Sequence, residues 1–398
     1  MKKIISYLAF LPFFLAILWA AKVYGEKLFS SLEAHRLYST ELIDAHNHEN
    51  STAAQIQVAL LLDISGSMNG LIEQAKSKLW QVVNELSDAQ KGERNPNLEI
   101  ALYVYGGSTL DSQKGYVQQL APLTTDLDLI SEKLFSLTTN GGEEYCGQAI
   151  QLAHLELDWS KSQEDLKMIF IAGNEPFNQG SMPYQNVCQQ AKAQDILVNT
   201  IFCGPHLEGI NSFWKHGADL AGGAYMNIDH NVQSVHIATP YDDEISQLNV
   251  DLNDTYHAFS GQGRIMKERQ VTQDMNAQKF GSANTAKRAI SKSKGAYKNS
   301  SWDLVDAYRE KKVKLKEIKT EELGEEFKGL DEKGLELKIE ELSNKRSGIQ
   351  KKIVELDKKR KAYVAEQRKD KSQDQTLDAA MSKTIRKQAE SKNYKFKE

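Results

Sequence analysis

Apolar positions follow two alternating periods along the first half of this chain. Residues 58–62 form an uninterrupted apolar run that ends at Asp63. After Ser65, Gly66 and Ser67, apolar side chains return every three to four residues, at Met68, Leu71, Ile72, Ala75, Leu79, Val82, Val83 and Leu86. The run predicts a strand buried on both faces, and the spaced positions predict an amphipathic helix. The alternation continues, with strands predicted over 97–105, near 116–120, and over 166–172, 196–203 and 224–229. Between them, helices are predicted over 126–137, 148–157, 184–193 and 211–221. Strands alternating with helices from about 55 to 230 predict an α/β fold, a doubly wound and mostly parallel sheet.

Beyond residue 240 the pattern becomes helical. Segments 242–252, 261–277 and 283–294 read as short helices lying on a surface. Leu335, Leu342, Ile349, Leu356 and Tyr363 then recur every seven residues, with Ile339 and Ile353 between them, which makes a heptad seam. Arg346 and Arg360 fall in the same seam. It either packs as a hairpin against Leu304, Tyr308, Leu315 and Ile318, with the glycines at 329 and 334 supplying the turn, or joins two chains as an oligomer. Residues 371–398 are polar enough to be expected as a disordered tail. The expected organisation is therefore 26–54 as linker, 55–235 as the α/β domain, 240–300 as short helices and 301–370 as a helical hairpin or coiled coil.

The N-terminus changes the picture. Lys2 and Lys3 precede an uncharged, mostly apolar stretch at 4–21, followed by Lys22. Residues 1–25 read as a signal peptide or an uncleaved signal anchor, so the remainder is expected outside the cytoplasm: periplasmic, on the cell surface or anchored in the inner membrane. Composition adds one exclusion. With a net charge of −4 over 398 residues, there is no domain-wide basic excess to meet nucleic-acid phosphates. Three cysteines at 146, 188 and 203 suit an exported chain with at most one disulfide, and Cys188–Cys203 is the expected pair.

The candidate chemistry lies where the first strand ends. Asp63, Ser65 and Ser67 offer one carboxylate and two hydroxyls at the carboxyl end of a strand, the place where open α/β sheets bind ligands. Such hard oxygens suit Mg²⁺, Ca²⁺ or Mn²⁺. A second candidate, His46-x-His48, is the kind of pair a metal-dependent hydrolase uses, but its flanks read as loop and not as barrel strand. The chain also lacks a Gly-x-Ser-x-Gly elbow, a Walker A loop and a dinucleotide-binding glycine loop.

At Asp63-x-Ser65-x-Ser67, with its strand before and helix after, the chain resembles the von Willebrand factor type A (VWA) family and its metal-ion-dependent adhesion site (MIDAS). The resemblance implies a non-catalytic, cation-dependent protein-binding domain in which a partner's acidic side chain completes the metal shell. It also places the second metal loop at Asn140-Gly141-Gly142-Glu143, with Glu143 where the family usually has threonine. Gly173 stands where the family has an aspartate, leaving Asn174 or Glu175 as the candidate substitute. An alternative is a metal-free VWA scaffold whose helical tail binds the partner.

Overall fold

The computed structural model describes residues 54–229, 237–259, 261–319, 323–368 and 377–396, which belong to one unit, Ala53–Glu398. The expected leader (1–25), the linker up to residue 53 and the His46/His48 pair lie outside the described residues. Among the described residues no helix is long and apolar enough to cross a membrane.

The first strand, β1 (Gln55–Asp63), leads through a 3₁₀ turn at Gly66–Met68 into helix α1 (Asn69–Ser87). A two-residue strand, β2 (Ala89–Gln90), precedes β3 (Asn97–Tyr105) and β4 (Val117–Thr124). Next come α2 (Leu127–Phe135), α3 (Cys146–Glu156), β5 (Leu166–Gly173), α4 (Tyr184–Ala193) and β6 (Ile196–Cys203). The helix expected over 211–221 is broken into α5 (His206–Asn211) and α6 (Trp214–Leu220), because Phe213 between them adopts a left-handed conformation at φ 71°. The last strand of the main sheet is β7 (Tyr225–Ile228).

The main sheet has the order β4-β3-β1-β5-β6-β7. All its pairings are parallel except that of β4, which lies antiparallel at one edge. Alternate residues of each strand feed two buried layers. Val58, Leu62, Ile100, Leu102, Met168 and Phe170 face α1 and α2. Ala59, Leu61, Tyr103, Ile169, Ile171 and Val198 face α3, α4 and α6. Both faces of β1 are thus covered, which is why it reads as a continuous apolar run. The same alternation corrects the expected disulfide. Cys203 joins Ile201 in the first layer, whereas Cys188 lies in the second, so the sheet separates them, and all three cysteines are free and buried.

The C-terminal region is helical: α7 (Asp242–Asn253), α8 (Gly261–Gln278), α9 (Ser282–Lys292), α10 (Leu304–Arg309), α11 (Glu332–Arg368) and α12 (Leu377–Ser391), closed by β8 (Lys395–Phe396). Ile245, Leu252, Ala286, Ile290, Ile353 and Leu356 enter the same apolar layer as α1. Polar groups on α1 are consumed there too. Asn84 Nδ2 donates to Lys287 O at 2.9 Å, and Lys294 Nζ donates to Asn84 O at 2.9 Å. The boundary expected near 235 therefore separates two patterns of sequence but not two cores.

The seam of α11 is satisfied within the chain. Its first part packs Leu335, Ile339 and Leu342 on Leu304, Leu315 and Phe327. Its two arginines face inward as well. Arg346 pairs with Asp303 at 2.7 Å and Asp306 at 2.6 Å, and Arg360 pairs with Asp242 at 2.8 Å.

The expected disordered tail is corrected over its described part. Leu377, Met381, Ile385 and Ala389 recur at four-residue spacing and are buried, and α12 packs on α1 and β7. Its end is fastened by β8, where Lys395 and Phe396 pair antiparallel with Gln90 and Ala89. The apolar stripe is real, but the Lys, Arg and Gln residues around it hide it from a reading by composition.

Candidate metal centre

The sheet brings three strand ends to one point. Asp63 is opposite Tyr105 in the β1–β3 register, and the β1–β5 register, which pairs Leu62 with Ala172, carries Gly173 alongside it. Asp63 is fully buried. Its Oδ1 accepts from Ser65 N at 2.7 Å, while its Oδ2, also buried, has no hydrogen-bond partner among the described residues. Ser65 Oγ lies 3.2 Å from Ser67 Oγ, and Asn174 Nδ2 donates to Ser67 Oγ at 3.2 Å. Asp63, Ser65, Ser67 and Asn174 are thus brought together.

Glu143 is not brought in. It is exposed, and its neighbour Glu144 turns inward to 8% exposure. Glu144 lies close enough to Asp63 to interact with it electrostatically. Gly106, at φ 80°, makes the approach feasible. A Cβ there would stand 2.7 Å from Asp63 Oδ1 and 2.8 Å from the Glu144 Cγ, so both carboxylates close over a residue that must lack a side chain. Gly142 performs a similar service, since a Cβ on it would strike the Gly106 carbonyl. Two adjacent glutamates were visible in the sequence; only the direction of the loop backbone selects between them.

Gly173 has its own physical reason. A Cβ at this position would collide with the Tyr105 hydroxyl and stand 3.0 Å from Asp63 Oδ2. Tyr105 is held there by donating to Ala172 O at 2.9 Å. The tyrosine hydroxyl thus occupies the space that a side chain at position 173 would need.

Burial pushes the Asp63 carboxyl up to about 7, opposed by the Ser65 hydrogen bonds and helped by Glu175. Burial pushes Glu144 up to about 7 as well, with Asp63 and Glu175 adding to it. Two crowded carboxylates and two hydroxyls, one oxygen of them buried without a partner, form a set that a hard divalent cation satisfies. The donors present fit such an ion. Among the described residues no cluster of three His, Cys, Asp or Glu side chains gathers as a metal site.

An open α/β sheet with an oxygen-rich loop at the end of its central strand is the class of domain defined here. Residues 57–209 match the von Willebrand factor type A domain, and the chain carries a VWA domain over that span. VWA domains are commonly involved in adhesion and protein binding, and are generally non-catalytic. Solved structures with a similar fold include the conserved hypothetical protein BatB from Bacteroides thetaiotaomicron, at 17% identity over 44% of this chain and 90% of that one, with a TM-score of 0.34. A von Willebrand factor type A structure from Catenulispora acidiphila is 15% identical over 44% of this chain and 39% of that one, with a TM-score of 0.33. Proximal thread matrix protein 1 from the mussel byssus, with zinc in its MIDAS motif, is 15% identical over 44% of this chain and 42% of that one, with a TM-score of 0.32. No curated protein matches the chain.

Proposed function

We propose that this protein is a divalent-cation-dependent protein-binding module, held outside the cytoplasm, that binds its partner without catalysing a reaction. The observation that carries the reading is the buried Asp63 carboxylate, whose Oδ2 has no hydrogen-bond partner among the described residues and sits beside Ser65, Ser67 and Glu144. An uncompensated buried carboxylate is costly, and a cation bound by these oxygens offsets that cost. Asp63, Ser65, Ser67 and Glu144 hold the ion in this reading, with Asn174 orienting Ser67 and Glu143 left in solvent. Mg²⁺ is the first choice, with Ca²⁺ or Mn²⁺ as alternatives. The bound ion supplies a positive centre that can accept a carboxylate oxygen from a partner's Asp or Glu.

Display outside the cytoplasm rests on Lys2 and Lys3 before the apolar stretch at 4–21, which also offers a route to membrane anchoring. A metal-free scaffold that binds through its helical tail is less favoured, because the apolar seam of α11 is buried in its own chain. Calorimetric titration of Mg²⁺ and Mn²⁺ into the full-length protein tests the reading. One-to-one binding is expected, and the absence of heat at millimolar metal overturns it.

A further inference from the structure

The parallel strands give the described unit two poles. β1 carries Asp63 at its carboxyl end and begins at Gln55, where the chain arrives from residues 1–53. The pole at Gln55 is closed by the C-terminal segment: Tyr394 Oη donates to Gln55 O at 2.8 Å, and β8 pairs with β2 just after Asp88. Helix α11 is pinned beside the same pole. Lys361 Nζ donates to Asp88 Oδ2 at 3.0 Å. Gln350 Nε2 donates to Lys292 O at 3.1 Å, two residues before Lys294, which pairs with Asp88 at 2.7 Å.

Between residues 345 and 361 the outer surface of α11 is basic. Arg346 and Arg360 turn inward to their aspartates, Lys352 pairs with Glu244, and Lys361 pairs with Asp88. Lys345, Lys351, Lys358 and Lys359 are exposed, and among the described residues none of these four has an ion-pair partner. At about 100° per residue they fall within an arc of about 140°, spread over about 21 Å of helix. Glu355 is the one exposed acidic residue in this stretch, because Asp357 is buried. Val354, 38% exposed, lies one turn from both Lys351 and Lys358. In a chain whose net charge is −4, four unpaired cations on one helix face are a local excess that overall composition does not explain.

A convex helix surface has no groove to grip a peptide or a nucleic-acid strand. Long lysine stems on such a surface can instead reach a broad array of phosphates together. We propose that this face of α11 docks on an anionic lipid surface, the membrane in which the apolar stretch at 4–21 is held. The inference rests on the anchoring part of the proposed function and adds an orientation for the described unit. Its amino pole faces the lipid, and its metal loop, at the opposite ends of the strands, faces the partner. Each lysine near an anionic surface is worth about fivefold in binding, and an anchored chain meets that surface at high effective concentration.

The test uses the full-length protein in nanodiscs of phosphatidylcholine, either alone or with about 30% phosphatidylglycerol to supply anionic headgroups. Amine acetylation followed by mass spectrometry reads the accessibility of each lysine. In the anionic nanodiscs, labelling of Lys351, Lys358 and Lys359 is expected to fall about threefold or more, and to recover in about 1 M NaCl, where the screening length is about 3 Å. Lys114, exposed in the connection after β3 at the metal pole, should label equally in both lipids. A double variant, Lys351→Gln with Lys358→Gln, should lose most of the protection at Lys359 and keep its melting temperature, because both side chains are exposed. Equal labelling in the two lipids, or a fall shared by Lys114, overturns the docking proposal and leaves the anchor and the metal site standing. Protection already complete in neutral nanodiscs and lost on dilution assigns the face to a second copy and also overturns it. A chain that does not enter nanodiscs overturns the anchoring reading and this proposal with it.

Discussion

Arg346→Ala should be among the most damaging single changes in the C-terminal region, and the structure sets its size. The guanidinium is buried, pairs with Asp303 and Asp306, donates from Nε to Thr255 Oγ1 at 3.1 Å and stacks 3.9 Å from the Tyr256 ring centroid. Removing it strands the fully buried Asp303 carboxylate. Breaking a buried pair from one side costs about 3–5 kcal/mol. Asp303 keeps backbone donors from His257 at 2.7 Å and Asp306 at 2.9 Å, which places the expected loss near the lower end, about 3 kcal/mol. Urea denaturation of the full-length protein measures it. Because the partners belong to the same chain, the loss should not change over an about hundredfold range of protein concentration. A loss below about 1 kcal/mol, or one that appears only on dilution, would refute the intramolecular seam and favour a contact between chains.

Three other outcomes are expected. Glu144→Gln should weaken Mg²⁺ binding by about tenfold or more, as loss of even an outer partner does, whereas Glu143→Gln should change it by less than about twofold; calorimetry separates them. In EDTA, stability should fall as pH rises from about 4 through about 7. The Asp63 pKa is raised from 3.8 to about 7, so the folded state keeps a proton that the unfolded chain has released across that window. Melts in EDTA at about pH 5 and about pH 8 check this, and a protein more stable at the higher pH contradicts it. Ile385→Ala should cost about 2–4 kcal/mol by denaturation, because this fully buried side chain packs in the apolar layer that α12 shares with α1; no change would return 377–391 to the status of a dispensable tail.

Most of the sheet was legible because its central strands are buried on both faces, and Leu60 to Leu62 or Ile169 to Ile171 can only be apolar there. The strand end holding Asp63 was legible because the apolar run stops there at a polar loop, Asp63, Ser65 and Ser67. What the sequence hid depends on contacts across long stretches of chain. Arg346 and Arg360 interrupt an apolar seam until Asp303, Asp306 and Asp242 are placed opposite them. Glu144 and Glu143 are chemically identical, and the close passage of Gly142 by Gly106 decides which one turns inward. Cys188 and Cys203 are near in sequence and divided by a sheet, a separation that the alternation along β6 already encodes once Ile201 is known to face α1.

The central claim is that the oxygens around Asp63 hold a divalent cation, and thermal unfolding with and without Mg²⁺ tests it most directly. At a free concentration about 100-fold above the dissociation constant, the full-length protein should gain about 2.7 kcal/mol of stability, seen as a metal-dependent rise in melting temperature. Asp63→Ala should remain folded and show no rise. An Asp63→Ala protein that rises as much as the parent, or a parent that does not rise at all, would contradict the claim.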